Sequence, residues 1–196
     1  MNNRGLRASH YRPLSQTDIE NIHQAALEIL DTVGLIVHSE KCLRFFESAG
    51  ARVDGKAVKI PDSLVEKALE SAPSSVTLFA RREGDDLHLE ENRVYLGTGG
   101  TVLEVLDLDG NYRQASLQDL GEICRLVDAL DSIDFIVLPT YPTELPPERV
   151  DINRFHTGLS NSKKHIMGGI YTKEGIDQVI RLGEIVTGGS EELRNR

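Results

Sequence analysis

The cluster Gly97-Thr98-Gly99-Gly100 is a place in this sequence where backbone and side chain could do chemistry together. A glycine-rich turn lets backbone N–H groups approach an anion such as a carboxylate, because no Cβ stands in the way. The same residues also suit a tight connection between Val94-Tyr95-Leu96 and the run from Val102 to Leu108. They do not match the dinucleotide pattern GxGxxG. Two further clusters, Pro139-Thr140-Tyr141 and Gly168-Gly169-Ile170-Tyr171, combine turn formers with an aromatic ring. A quaternary ammonium has no N–H to donate, and an aromatic face attracts it through its quadrupole. The plainer alternative is that these tyrosines pack on neighbouring loops. Thr98, Gly99, Tyr141 and Tyr171 are thus the candidate substrate-binding residues, with no catalytic side chain assigned.

Other reactive residue types are present without the spacing that chemistry needs. The six histidines (His10, His23, His38, His88, His156 and His165) form no HxxxH pair and sit beside no cysteine at ligand spacing, so no metal site is expected. Cys42 and Cys124 lie far apart within apolar helical patterns and read as buried free thiols of a reducing compartment. Glu104, Asp107 and Asp109 alternate along a strand and turn, as a solvated face does.

The elements that must position these clusters follow from periodicity. Ser15 with Asp18 is a capping signature, and Ile19, Ile22, Ala26, Ile29, Leu30 and Val33 recur at steps of three and four, predicting a helix that Gly34 stops. A short strand at Leu35-Ile36-Val37, a helix from Glu40 to Ala49, and a hairpin turning at Asp54-Gly55 come next. A third helix runs from Pro61 to Ser71. Between Val76 and Tyr112, short apolar runs separated by turn formers predict an antiparallel meander. From Ser116, with its own S-x-x-D cap, the pattern becomes helix, strand (Ile133 to Leu138), helix, strand (His165 to Tyr171), helix. Buried strands alternating with helices imply parallel crossovers. The expected domains are a loose tail over 1–14, an α/β extension over 15–115, and over 116–196 the opening of a barrel or a doubly wound sheet.

Composition limits the partners. The 22 Lys and Arg against 31 Asp and Glu leave a net charge of −9. An acidic surface repels phosphate backbones and anionic lipid, so neither nucleic acid nor membrane is expected as a partner. No apolar run is long enough to span a bilayer, and the chain reads as cytoplasmic. Two parallel strands cannot by themselves bury both faces and close an edge, so the chain is expected to be part of a larger protein.

The stretches LSQTDIENIHQAALEILDTVGLIV from Leu14, AGARVDG with IPDSLVEKALESAP, and above all YLGTGGTVLEVLDLDGNYRQASLQDLGEICRLVDALDSIDF from Tyr95 resemble the corrinoid-dependent trimethylamine methyltransferase family. The resemblance runs from Leu14 through nearly the whole chain, and corresponds to the amino-terminal part of a member. It implies an α/β extension leading into the first βα units of an incomplete TIM-type barrel. It also implies transfer of a methyl group from a methylated amine, such as trimethylamine or glycine betaine, to a corrinoid carried by a separate partner protein. The cofactor would therefore not be bound directly. Some members rely on a pyrrolysine in a carboxy-terminal region to which nothing here corresponds. On this reading the chain alone is inactive, with a homo-oligomeric state left open. The rival reading is a non-catalytic remnant or a binding and assembly module.

Overall fold

The computed structural model describes residues 6–7 and 11–195. It is mixed α/β, and the described residues divide into two compact units, one holding residues 11–74 and the other residues 75–195 with residues 6–7. Within the stretch expected to be a tail, Leu6–Arg7 form a short strand, β1. The expectations for residues 1–5 and 8–10 lie outside the described residues.

In the first unit the local signals act as read. Helix α1 (Gln16–Thr32) begins at a complete capping box: Asp18 N donates to Ser15 Oγ (3.2 Å) and Ser15 N to Asp18 Oδ2 (2.9 Å). Gly34, at φ 77°, ends it, and a Cβ there would stand 2.3 Å from the Val58 carbonyl oxygen. Only glycine combines that φ with that approach. Strand β2 (Leu35–Ile36), helix α2 (Glu40–Ser48), strands β3 (Arg52–Asp54) and β4 (Ala57–Lys59), and helix α3 (Asp62–Ser71) complete the unit. The sheet is antiparallel in the order β2-β4-β3, and Val58 at its centre is fully buried. His23 Nε2 lies 2.7 Å from Glu66 Oε1 and so links α1 to α3.

Burial here departs from the sequence expectation. Ile19, Ile22, Ile29 and Val33 are exposed on α1, where Leu27 is the buried residue. Cys42 is also exposed, correcting the reading of both cysteines as buried. The helical period of α2 is right, but the half-buried residues are Leu43 and Phe46, and neither Cys42 nor Phe45 is covered.

The second unit opens with a hairpin of β5 (Ser75–Leu78) and β6 (Leu87–Glu90), and β7 (Arg93–Val94) pairs antiparallel with β1. The expected continuous meander then breaks. Residues 97–102 leave the antiparallel set and run beside strand β10 (Phe135–Val137) in parallel, bridging Gly97 to Phe135 and Val102 to Thr140. Strands β8 (Glu104–Leu106) and β9 (Tyr112–Gln114) form a separate hairpin. The break has a local cause. Thr98 Oγ1 accepts from Val137 N (2.9 Å) and donates to Val137 O (2.7 Å), replacing backbone pairing. At Gly97 a Cβ would collide with the Phe135 ring at 2.3 Å, so only glycine lets this segment meet β10.

Helix α4 (Leu117–Ala129) starts at a second capping box, Ser116 with Asp119. After β10 come helix α5 (Pro147–Asn161), strand β11 (His165–Met167), helix α6 (Lys173–Thr187) and the short α7 (Ser190–Arg194). Strands β10 and β11 pair in parallel, Ile136 opposite Ile166. Leu120, Cys124, Val127, Ile136 and Leu138 form the buried core, with Phe155 and Ile166 packed against it. Three parallel segments with helices between them thus lie side by side, and the described residues contain no closed barrel.

Candidate functional site

The carboxyl ends of the three parallel segments converge because hydrogen bonds carry their register past the strands proper. Val102 N donates to Pro139 O (2.8 Å), Tyr141 N to Val102 O (2.9 Å) and Leu138 N to Met167 O (2.9 Å). In parallel α/β layers, ligands bind at this end. Tyr141 and Tyr171, chosen from sequence, meet here: their ring centroids are 5.4 Å apart and the planes stand at 74°, an edge-to-face pair. Tyr171 is 53% exposed and Tyr141 half-buried, so the pair reaches solvent.

Thr98 and Gly99 are placed differently from the tyrosines. The Thr98 hydroxyl is taken up by the Val137 backbone, as above. Gly99 is exposed, with nothing within 4 Å of where a Cβ would stand. Gly100 lies close to β10, where a Cβ would stand 3.0 Å from Leu138 O. The glycine cluster therefore acts mainly as strand packing, with Gly99 its open member.

Two residues that hold the tyrosine pair were missed by sequence reasoning. Asp151 and Arg154, one turn apart on α5, are both fully buried. Asp151 accepts from Tyr171 N at both oxygens (3.0 Å each), and its Oδ2 also accepts from Thr172 N and Thr172 Oγ1 (2.9 Å each). The same carboxylate oxygen would lie 2.2 Å from a Cβ at Gly175, so the first turn of α6 is pressed onto it. Arg154 donates from Nε to Thr140 O (2.9 Å), and from Nη2 to Leu138 O (2.9 Å) and Thr101 Oγ1 (3.1 Å). Its Nη1 donates to Gly169 O (3.3 Å), and its guanidinium carbon lies 5.3 Å from the Tyr171 ring centroid. The available signal was register: Val150, Asp151, Arg154 and Gly158 fall on one helical face and are all buried.

Electrostatics elsewhere in the unit is structural. Bidentate donation from Arg113, with further bonds from Ser116, holds the Asp119 carboxyl well below the usual carboxylate range. Burial pushes the Cys124 thiol up to about 11. Lys164, at the start of β11, donates to the carbonyls of Val127, Leu130 and Ile133 and so closes the end of α4. A recess of about 350 Å³ lies near that start, among Phe79, Arg81, His165 and Val186, away from the tyrosine pair. Among the described residues no group of three or more His, Cys, Asp or Glu could hold a metal ion, and no helix is long and apolar enough to cross a membrane.

Comparison with known proteins places the chain among methyltransferases by sequence. The model of the trimethylamine methyltransferase (MTTB) family matches residues 3–195. Trimethylamine methyltransferase MttB of Desulfitobacterium hafniense is 32% identical over 185 residues, covering 93% of this chain and 37% of that protein. A glycine betaine methyltransferase of Desulfitobacterium hafniense strain Y51 is 25% identical over 187 residues, 95% of this chain and 39% of that protein. The L-carnitine:corrinoid methyltransferase of Eubacterium limosum is 32% identical over 117 residues, 60% of this chain and 24% of that protein. The chain thus spans well under half the length of the relatives it matches, and with a family match running from residue 3 to residue 195 it belongs to the trimethylamine methyltransferase family.

Proposed function

We propose that this chain supplies the amino-terminal part of a methyltransferase that moves a methyl group from a methylated amine, trimethylamine or a betaine, to a corrinoid protein. In this reading residues 97–102, β10 and β11 are the first three strands of a TIM-type barrel. That barrel then begins earlier than the 115/116 boundary read from periodicity, and the preceding residues form its α/β extension. A corrinoid carried by the partner would supply the nucleophile that accepts the methyl group, the amine leaving with the C–N electron pair. This chain's own contribution is to bind and orient the methylated ammonium.

The observation that carries the proposal is the Tyr141–Tyr171 pair at the carboxyl ends of parallel strands, in a chain whose relatives are named for methylated amines. An edge-to-face pair presents one π face beside a second ring and excludes water from part of a cation's surface. No N–H is needed from the ligand. Thr98 and Gly99 stand on the adjacent strand, where Gly99 leaves backbone open to a ligand carboxylate.

The test uses a full-length protein carrying this chain, assayed with a cob(I)alamin carrier and methylated amines. Each desolvated cation–π contact contributes about 0.5–2 kcal/mol. Tyr141→Leu or Tyr171→Leu should therefore lower kcat/KM by about two- to thirty-fold, at RT ≈ 0.59 kcal/mol. Wild-type kinetics in both variants, with unchanged thermal stability, would leave the tyrosines as loop packing.

A further inference from the structure

We infer that Arg154 is the positioning residue of the tyrosine pair: it sets the orientation of Tyr171 toward Tyr141 and closes one face of that ring to ligands. The ligand half of this inference rests on the proposed ammonium-binding role, while the positioning half does not. The guanidinium is fully buried. It is held by four oxygens drawn from all three parallel segments: Thr101 from residues 97–102, Leu138 and Thr140 from the end of β10, and Gly169 from the end of β11. One side chain therefore ties together the three chain ends that make up the site.

Its geometry is specific to arginine. A planar fork can donate to several carbonyls in a fan and still lay its face on a ring. A lysine ammonium is a compact point charge with three donors and cannot reproduce both. Tyr171 is gripped twice from α5, its amide by Asp151 and its ring by Arg154. Asp151 fixes where the residue starts and Arg154 fixes which way the ring points. Because the cationic carbon lies 5.3 Å from the centroid, that face of Tyr171 already has its cation. A ligand ammonium must use the surface of the tyrosine pair that Arg154 leaves open. The site is therefore one-sided.

The test uses the 196-residue chain and tetramethylammonium as probe, read by NMR. Tyr141 and Tyr171 ring signals are assigned through Tyr→Phe variants. In the wild type, a cross-relaxation peak should connect the two rings, and the Arg154 Nε–H should be protected from exchange and shift when the probe is added. Arg154→Lys and Arg154→Gln should keep the chemical shifts of the core around Leu120 and Ile136. Both should lose the inter-ring peak and bind the probe at least about two- to five-fold more weakly, the size of one exposed cation–π contact. Should either variant fail to fold, the wild-type Nε–H measurement decides: exchange as fast as that of surface arginines overturns the inference. So does an unchanged inter-ring peak in a folded variant. If the wild type does not bind the probe, yet Arg154→Lys loses the inter-ring peak, positioning stands and the ammonium role falls.

Discussion

Replacing Asp119 by asparagine should destabilise the second unit by about 1.5–2 kcal/mol at neutral pH, and the size of the effect should depend on pH in one direction. The Asp119 carboxylate accepts from Arg113 Nη1 (2.8 Å) and Nη2 (2.6 Å), and from Ser116 N (2.8 Å) and Oγ (2.6 Å). Asparagine keeps the size and one acceptor oxygen, but loses the charge and the bidentate geometry. Arg113 is half exposed, so solvent screens the ion pair and leaves it about 0.5–1 kcal/mol. Weakening the reciprocal cap at the start of α4 adds about 1 kcal/mol. For a chain of this size the sum corresponds to a fall in Tm of about 3–8 °C. Arg113 holds the folded carboxyl well below its unfolded value of about 3.9. The stabilisation is then complete above that unfolded value and is lost as pH falls toward the lower folded one. The gap between wild type and Asp119→Asn should stay constant from pH 8 to about pH 5 and shrink below about pH 4. Urea titrations followed by amide exchange in α4 measure both quantities. A gap as large at pH 3 as at pH 7, or none at pH 7, would refute the assignment.

The cysteines and the glycine cluster offer two further checks. Thiol labelling of the native chain at pH 8 should modify Cys42 rapidly and Cys124 only after denaturation, since Cys124 is buried with its thiol pushed up to about 11; two fast thiols would contradict this. Gly97→Ala should cost about 1–3 kcal/mol by driving a methyl group into the Phe135 ring, whereas Gly99→Ala, with open space around it, should stay within about 0.5 kcal/mol. Equal effects of the two alanines on urea midpoints would mean that the cluster does not pack against β10 as described.

Elements stabilised by neighbours in sequence were legible. Both capping boxes, Ser15 with Asp18 and Ser116 with Asp119, were readable because the groups that satisfy each other lie three residues apart. The Asp54-Gly55 hairpin and the parallel pairing of β10 with β11 follow the same logic of turn chemistry and continuous apolar runs. Residues 97–102 were not legible as a parallel strand. Their composition is glycine and threonine, without apolar alternation, and what holds them parallel to β10 is a side chain bonding to the backbone of Val137, 39 residues away. Burial was the other gap. The period of α1 was correct, but Ile19, Ile22, Ile29 and Val33 are exposed, because periodicity reports that a face is apolar and not what covers it.

The candidate site divides along the same physical line. Tyr141 and Tyr171 were reachable from sequence because residues at the carboxyl end of successive parallel strands must lie close together, and both follow an apolar run. Asp151 and Arg154 were hidden because charged residues count against burial in any hydrophobic pattern. Their positions nonetheless carried information. A helix facing a sheet has a buried stripe at steps of three and four, and Val150, Asp151, Arg154 and Gly158 fill it. Gly158 in that stripe brings α5 close to the sheet, since a Cβ would sit 2.7 Å from Leu138 Cδ2. Only at such a distance can Arg154 reach strand carbonyls and Asp151 reach the Tyr171 amide. A charged residue in register with a stripe that also contains a close-approach glycine must find its partners in the sheet's own backbone, because burying it unpaired costs several kcal/mol. In a parallel α/β layer those partners lie at the strand ends, where ligands bind, so a misplaced charge on a core-facing helix points to the site as directly as the aromatic residues do.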